Sequence, residues 1–367
     1  MLSDRVGRID ASGIRKIFDL VATMKDPINL SIGQPDFDVP EPVKDTAIEA
    51  IRAGFNRYTV TQGIPELHER VRAMLAETRG YEPEGLLITS GTSGGLHLAL
   101  LATVNPGDEV IFPDPYFVMY KHLVHLCDGR CVYLDTYPDF RLRRDALEPL
   151  ITDRTKMIVL NSPCNPTGTV YTADELRMAA ELARERDVLL LSDEIYDSYV
   201  YDGAYTSLAA LCPERTLLLG GFSKTYAMTG WRLGYAAGPP DVIGQMTKLQ
   251  QYTFVCAPSF TQKAGVAALD IDVAEQMALY RRKRDRIYEG LVDAGYEVEK
   301  PGGAFYIFPK CPWGTGMEFV EEAIRRNLLV IPGGVFSERD THFRIAYPAP
   351  DATIDRGLDV LRRLARR

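Results

Sequence analysis

The stretch TLLLGGFSKTYAMTGWRLGY, residues 216–235, joins an apolar run to two cations. Residues Thr216 to Leu219 have the continuous apolar character of a strand that is covered on both faces. Lys224 and Arg232 follow this run among glycines and aromatic side chains. Charged groups so close to a core are costly unless a partner satisfies them. The stretch therefore predicts either a protein partner for each cation or one ligand that contacts both.

Similar apolar runs occur on the N-terminal side of this stretch and alternate with helical patterns. Continuously apolar strands separated by helices indicate a mainly parallel sheet with helices on both faces. One helix is predicted from about Ala173 to Arg186, because Thr172 and Glu175 fit a capping box at its start. The other predicted strands are Gly85 to Thr89, Glu109 to Phe112, Cys131 to Leu134, Met157 to Asn161 and Val188 to Ser192.

The character of the sequence changes after Pro258. A long charged helical pattern, AEQMALYRRKRDRIYEGLVDAG, is followed by short apolar segments and by a last helix from about Ile354. This order favours a smaller α+β unit, which the N-terminal segment joins. We therefore expect a large domain over residues 41–258 and a small domain formed by residues 1–40 and 259–367.

Composition and charge argue against several classes of function. The chain has 367 residues and a formal net charge of −8, which disfavours nucleic acid or an anionic membrane as a partner. No apolar run approaches the roughly 18 residues that span a bilayer, and the first residues lack the apolar stretch of a signal peptide. The six cysteines are scattered, without a CxxC pair or a cluster at metal-binding spacing. We expect free thiols, no metal site and a cytoplasmic protein.

Polar side chains follow the predicted strands directly. In an open parallel sheet, ligands bind at the carboxyl ends of the strands. Asp193 comes directly after one buried strand, and Asn165 stands in the proline-rich loop SPCNPTG after another. Gly91, Thr92 and Ser93 open a helix, where free backbone N–H groups can hold an anion. Each pattern also occurs for structural reasons alone, as a turn or a helix cap.

Taken together, these groups match one kind of ligand. They comprise the anion-binding turn at residues 91–93, the guanidinium of Arg232, the amide of Asn165, the carboxylate of Asp193, the phenol of Tyr196 and the amine of Lys224. A lysine amine can hold an aldehyde as a Schiff base. A carboxylate can keep a pyridine nitrogen protonated, so that the ring withdraws electrons from a carbanion. Pyridoxal 5'-phosphate carries the aldehyde, the ring nitrogen and a phosphate, and the set of residues predicts this cofactor.

With that chemistry in place, the chain resembles the fold-type I, class I pyridoxal-phosphate aminotransferases. The resemblance implies a large α/β domain with a mainly parallel seven-stranded sheet covered by helices, plus a smaller α+β domain. It also implies a homodimer that acts on an L-amino acid and a 2-oxo acid. The motifs that carry it occur in family order over nearly the whole chain, and they are NRYTVTQGIPELHERV, NSPCNPTG, LSDEIY, SKTYAMTGWRLGY, GGAFYIF and FRIAYP.

The resemblance also implies a role for each candidate residue. Lys224 would form the Schiff base and move the α-proton of the substrate, and Asp193 would pair with the pyridine nitrogen. Asn165 and Tyr196 would donate to the phenolate oxygen of the ring. Phe117 would stack on the cofactor ring, and Tyr58 would reach the phosphate of the cofactor in the neighbouring subunit. The residues that would bind the phosphate are Arg232, Gly91, Thr92 and Ser93. Those that would bind the substrate are Arg344, Gly33 and Asn165.

Two positions depart from the pattern of many relatives. Gly221 stands where they carry a serine that contacts the phosphate, which predicts a weaker hold on the cofactor. Ser93 stands where some bacterial aspartate-specific relatives have a lysine that contacts the side-chain carboxylate of the substrate. This second departure weakens the case for a dedicated aspartate enzyme without excluding one. We expect an aspartate- or aromatic-type amino donor and a 2-oxo acid acceptor such as 2-oxoglutarate.

Three other functions are considered from the sequence. A P-loop NTPase is disfavoured, because Ser223 stands where the Walker motif needs a glycine before the lysine. A non-catalytic sensing domain of this fold is disfavoured by the intact Lys224 and Arg344. A carbon–sulfur β-lyase or an aminocyclopropane-carboxylate-synthase-like enzyme would use the same cofactor residues. The motifs around the cofactor do not separate that alternative from transamination.

Overall fold

A seven-stranded sheet lies at the centre of the protein, whose computed structural model describes residues 2–9 and 24–366. All of its strands run parallel except β8, which is antiparallel to both of its neighbours. The predicted mainly parallel seven-stranded sheet is thereby confirmed. In spatial order the strands are β2 (Gly85–Thr89), β8 (Gly234–Gly238), β7 (Thr216–Gly221), β6 (Leu189–Asp193), β5 (Thr155–Asn161), β3 (Glu109–Asp114) and β4 (Arg130–Asp135).

Helices cover both faces of this sheet. Ile158 and Val159 are neighbours in β5 and pack into different hydrophobic clusters, because successive side chains of a strand point to opposite faces. Both faces are therefore buried, which explains the continuously apolar strands. The described helices between residues 4 and 268 are α1 (Asp4–Gly7), α2 (Glu41–Arg52), α3 (Pro65–Arg79), α4 (Gly91–Thr103), α5 (Met119–Leu126), α6 (Arg144–Leu147), α7 (Ala173–Glu185), α8 (Leu208–Leu211), α9 (Pro240–Thr253) and α10 (Ser259–Ala268).

The C-terminal part of the chain builds two small sheets. β11 (Ile331–Pro332), β12 (Phe343–Ala346) and β9 (Tyr306–Ile307) are antiparallel, whereas β1 (Ile28–Asn29) pairs in parallel with β10 (Leu328–Leu329). The N-terminal segment thus joins the C-terminal unit by β1. Residues 10–23 of the predicted small domain lie outside the described residues. The helices of this part are α11 (Ala274–Asp293), α12 (Gly316–Arg325) and α13 (Asp351–Ala365).

Local sequence signals account for several of these boundaries. The predicted capping box at the start of α7 is present, since Thr172 Oγ1 accepts from the backbone N–H of Glu175 and the Glu175 carboxylate accepts from that of Thr172. Helix α13 begins at Asp351, three residues before the predicted start. Pro350 precedes it and Asp351 stands in the first turn, where an acidic side chain is favourable.

One strand of the central sheet was not predicted. β8 has the sequence GYAAG, whose small residues carry little strand signal. The small residues have a packing reason, because a Cβ at Gly234 would collide with the backbone of Gly91 and Thr92. Strand β8 therefore lets the turn before α4 approach the sheet closely. The same turn forms one wall of the cavity described below.

Candidate active site

The carboxyl ends of β5, β6 and β7 face a cavity of about 300 Å³. Its walls come from both parts of the chain, because Gly33, Tyr306 and Arg344 lie opposite the ends of the central strands. The cavity thus brings together side chains that are far apart in the sequence. Ten of the predicted site residues line it, namely Gly33, Thr92, Ser93, Phe117, Asn165, Asp193, Tyr196, Lys224, Arg232 and Arg344.

Asp193 places a carboxylate at the end of β6. The side chain is buried, and its Oδ2 accepts a hydrogen bond from the Tyr120 hydroxyl at 2.7 Å. Asn161 fixes the backbone, since its Nδ2 donates to the Asp193 carbonyl oxygen at 2.8 Å. Burial raises the pKa of Asp193 to about 6, because desolvation outweighs the hydrogen bond from Tyr120. A cation on the cavity side would restore the charged form.

Lys224 follows β7 and reaches into the same cavity. Its Nζ donates to the backbone carbonyl oxygen of Gly33 at 2.8 Å. Desolvation, followed by repulsion from Arg344 and Arg232, lowers the pKa of Lys224 to about 8. An amine with such a pKa is partly neutral near physiological pH. It can therefore act as a nucleophile or a base.

Arg344 lies on β12 and is buried. Its Nη1 donates to Asn165 Oδ1 and its Nη2 to the Ser31 carbonyl oxygen, both at 2.9 Å. Its Nε is also buried and has no hydrogen-bond partner among the described residues. Desolvation lowers the pKa of Arg344. A buried guanidinium with an unfilled donor suits an anionic ligand such as a carboxylate.

Asn165 and Tyr196 stand between these charged groups. Because Asn165 Oδ1 accepts from Arg344, the amide nitrogen of Asn165 is left to donate. The Tyr196 hydroxyl lies 2.8 Å from the Tyr306 hydroxyl. Burial keeps the pKa of Tyr196 well above its usual value, so the phenol is neutral and retains its hydrogen. Both residues can therefore offer a donor to a ligand oxygen.

The opposite end of the cavity suits a phosphate. Gly91, with φ of +71°, opens α4, and a Cβ at this position would contact the Arg232 guanidinium. Thr92 Oγ1 bonds the Gly220 carbonyl oxygen at 3.1 Å. The helix N-terminus and the guanidinium therefore lie side by side. This is the arrangement that binds phosphate groups in many proteins.

Gly221 shows how the chain differs here from relatives with a serine. A Cβ at Gly221 would lie 2.7 Å from Thr92 Oγ1. The Thr92 hydroxyl thus fills the space that a serine side chain would need. The sequence alone did not reveal this relationship, because the two residues belong to different elements.

Two predicted residues stand apart from the polar groups. Phe117 lines the cavity and packs edge-to-face on Tyr120, with 5.6 Å between ring centroids. Tyr58 does not line the cavity, and its side chain is 83% exposed.

Sequence reasoning missed two aromatic residues of the site. Tyr120 bonds the Asp193 carboxylate, and Tyr306 contacts both Tyr196 and Arg344. Tyr306 belongs to the motif GGAFYIF quoted above, and Tyr120 lies three residues after Phe117 in the segment PDPYFVMY. Aromatic residues in apolar stretches look like core residues, so the one usable signal was their place beside the motif residues.

The chemistry of this donor set fits pyridoxal phosphate. Asp193 is a buried carboxylate whose raised pKa calls for a cation, as a protonated ring nitrogen provides. Arg232 and the start of α4 suit the phosphate, and Lys224 suits the aldehyde. The described residues hold no group of three or more His, Cys, Asp or Glu side chains that could bind a metal ion. All six cysteines are free. Within the described ranges, none of the helices combines the length and apolar character of a membrane span.

The sheet order and the groups at the strand ends define an α/β enzyme of fold type I. Residues 25–361 match the family model of aminotransferase class I and II. The aspartate aminotransferase of Pyrococcus abyssi is 37% identical, over 100% of this chain and 98% of that protein. The aromatic-amino-acid aminotransferase 2 of Thermococcus litoralis is 38% identical, over 98% and 96%. The structure of the Thermus thermophilus aspartate aminotransferase with maleate superposes with a TM-score of 0.96 at 34% identity, covering 99% of each chain.

The chain therefore belongs to the class I and II aminotransferase family, and pyridoxal phosphate is its cofactor. The predicted family, fold class and transaminase chemistry are confirmed at this level. The β-lyase and cyclopropane-synthase alternatives are not favoured, since these relatives are named aminotransferases.

Proposed function

We propose that the protein transfers an amino group from an L-amino acid of aspartate or aromatic type to a 2-oxo acid such as 2-oxoglutarate. The observation that carries the proposal is the position of Lys224 in one cavity with Asp193 and Arg344. These three groups supply a partly neutral amine, a carboxylate that needs a cation and a guanidinium that needs an anion.

When bound, pyridoxal phosphate supplies an aldehyde that an amine can attack and a ring that accepts electron density from the substrate α-carbon. Asp193 would hold the ring nitrogen protonated, and Asn165 and Tyr196 would donate to the ring oxygen. Phe117 would support the ring face. Arg232, Gly91, Thr92 and Ser93 would bind the phosphate, together with Tyr58 of a second subunit.

The other residues act on the substrate. Arg344 would bind the α-carboxylate with its guanidinium, and Gly33 would provide backbone close to it. Lys224, which lines the same cavity, would take the α-proton of the substrate and return it to another carbon. Because its pKa is lowered to about 8, the amine can hold and release that proton near neutral pH.

The donor class rests on two observations. Relatives named for aspartate and for aromatic amino acids are about equally similar to the chain. Ile32, Leu96 and Met119 give the cavity an apolar wall, and Ser93 supplies no cation for a side-chain carboxylate. The apolar wall supports an aromatic donor, and the aspartate-type relatives support an acidic one.

A homodimer completes the proposal. Tyr58 and Val60 are 83% and 62% exposed, beside a surface pocket that Phe55 and Pro65 help to line. Such apolar exposure marks a surface that associates. We also propose a cytoplasmic location, which the six free thiols support.

The predicted division of the chain is also proposed. Residues 41–258 would hold the cofactor, and residues 1–40 with 259–367 would carry Gly33 and Arg344. Ala264 of α10 packs in the same hydrophobic cluster as Val43 of α2. Helix α10 (Ser259–Ala268), which this division assigns to the small domain, would therefore stay with the large domain in any closing motion. We accordingly propose that the boundary falls after Ala268 and not after Pro258.

The test is the visible absorption spectrum of the purified protein, recorded before and after adding L-glutamate, L-aspartate or L-phenylalanine. We expect a yellow protein that one or more of these amino acids bleach, which identifies the donor class. Lys224→Ala is expected to bind the cofactor and to lose transamination by many orders of magnitude. A protein that stays colourless with added cofactor, or a Lys224→Ala variant with normal turnover, would refute the proposal.

A further inference from the structure

Two buried phenols face each other at the edge of the cavity. The Tyr196 and Tyr306 hydroxyls lie 2.8 Å apart, and both side chains are almost fully buried. Burial raises the pKa of both residues, so each is a neutral phenol with one hydrogen to donate. One hydroxyl of the pair must therefore donate and the other must accept.

The direction of this bond follows from the ligand. Tyr196 has a single hydrogen, and the proposed function directs it to the ring oxygen of the cofactor. Tyr196 can then only accept from Tyr306, whose own hydrogen has no other assigned use. A hydroxyl that accepts a hydrogen bond becomes a stronger donor, because chains of hydrogen bonds polarise one another.

The surroundings of Tyr306 hold its hydroxyl in this place. A Cβ at Gly33 would collide with the Tyr306 hydroxyl, so the glycine leaves the space that the phenol occupies. On the other side, the Arg344 guanidinium lies 4.6 Å from the centroid of the Tyr306 ring. The Tyr196 and Tyr306 rings meet edge-to-face, with 5.6 Å between centroids. Packing alone would not require a hydroxyl here, since phenylalanine would fill the same volume.

We propose that Tyr306 is a positioning residue that donates to Tyr196 and strengthens its hydrogen bond to the cofactor's ring oxygen. The inference rests on the proposed role of Tyr196. Its consequence is that Tyr306 lowers the proton affinity of the chromophore that Lys224 forms with the cofactor. A ring oxygen that shares its negative charge with a strong donor attracts the neighbouring proton less. The charged groups that face the pair are Arg344, Asp193 and Lys224.

The experiment is a pH titration of the visible absorption of the cofactor-loaded protein, without substrate. Tyr306→Phe removes the donor and keeps the ring, so we expect the midpoint to rise by roughly half a pH unit. Tyr196→Phe removes the direct donor and is expected to raise the midpoint further. The matched control is Tyr347→Phe, which deletes another buried hydroxyl of the same hydrophobic cluster, one that donates to the Ala304 carbonyl oxygen. Its midpoint is expected to equal that of the wild type.

Each outcome decides the matter. A rise with Tyr306→Phe and none with Tyr347→Phe supports the inference. A rise with Tyr196→Phe alone overturns it and leaves the proposed function intact, whereas no rise in either variant removes the role of Tyr196 itself. Gly33→Ala provides a second variant if Tyr306→Phe folds poorly, because its methyl group must displace the Tyr306 hydroxyl. It is expected to raise the midpoint, and an unchanged midpoint would count against the inference.

Discussion

Lys224 Nζ and the backbone carbonyl oxygen of Gly33 are joined by a 2.8 Å hydrogen bond, although 191 positions separate the two residues in the sequence. The amine that we assign to catalysis is thus held by the segment that we assign to the substrate. A hydrogen bond of this kind contributes about 1 kcal/mol net, so it can orient the amine without preventing its reaction. Loss of the bond on cofactor binding would leave the Gly33 carbonyl free to adjust to a substrate.

The lowered pKa of Lys224 predicts a pH-dependent capture of the cofactor. Only the neutral amine attacks an aldehyde, so the rate should rise with pH and level off above about 8. Stopped-flow absorption after mixing cofactor-free protein with pyridoxal phosphate measures this rate. The control variant is Lys263→Ala, whose lysine pairs with Glu66 at the surface and should not affect the profile. A rate that still climbs steeply at pH 10 would show an ordinary lysine pKa.

Arg344→Lys tests the binding of the substrate carboxylate. A lysine keeps the charge but cannot bond Asn165, Ser31 and a carboxylate with one planar fork. We expect kcat/KM for the amino donor to fall by roughly 10- to 100-fold, mostly through KM, while the cofactor spectrum is retained. Arg339→Lys is the control, because Arg339 pairs with Asp135 at the surface. Unchanged KM in Arg344→Lys would contradict the assignment.

Asp193 predicts an unusual dependence of stability on pH in the cofactor-free protein. Its folded-state pKa, about 6, lies above its unfolded value, so stability is fully present below pH 4 and is lost as the pH rises to about 6. The loss is about 3 kcal/mol, which corresponds to a pKa raised from 3.8 to about 6. Asp193→Asn removes the ionisation. The variant's free energy of unfolding relative to the wild type should therefore be about 3 kcal/mol more favourable at pH 8 than at pH 4.

Urea unfolding of both cofactor-free proteins at the two pH values measures this difference. The loaded proteins should show the opposite ranking at pH 8, because the ring nitrogen then gives the carboxylate its cation. Equal free energies of unfolding for the two cofactor-free proteins at every pH would mean that the folded pKa of Asp193 is normal.

Gly221→Ser tests whether the missing serine weakens cofactor binding. The new side chain would meet Thr92 Oγ1, so we expect a several-fold loss of affinity rather than a gain. Replacing Thr92 by alanine in the same protein should relieve the collision and recover most of the affinity. Titration of the cofactor-free proteins with pyridoxal phosphate gives the three dissociation constants. A tighter complex in the single variant would mean that Thr92 does not fill the role of the serine.

Much of the central sheet could be predicted because its strands are buried on both faces. The run 216–219 was recognised by its continuous apolar character, and the structure extends that strand to Gly221. Strand β8 escaped prediction because GYAAG has little β propensity and owes its place to pairing with β2 and β7. Strand β8 forms because it pairs with strands that are distant in the sequence, and a local sequence pattern does not show such pairing.

The residues of the site were likewise predictable only in part. Asp193 and Lys224 could be predicted because polar residues directly after apolar strands are conspicuous. The hydroxyl pair of Tyr196 and Tyr306 could not, because 110 residues separate them and phenols in apolar stretches resemble core side chains. The collision between Gly221 and Thr92 likewise exists only in three dimensions.

The pairing of β1 with β10 has a consequence for synthesis on the ribosome. Ile28 and Asn29 align with Leu328 and Leu329, so the segment that carries Gly33 cannot dock until nearly the whole chain has been made. At about 5 to 20 residues per second, the first strand waits roughly 15 to 60 s for its partner. A ribosome-bound chain that stops before residue 328 should therefore lack the Gly33 wall of the cavity. Such a nascent chain cannot yet carry out the reaction.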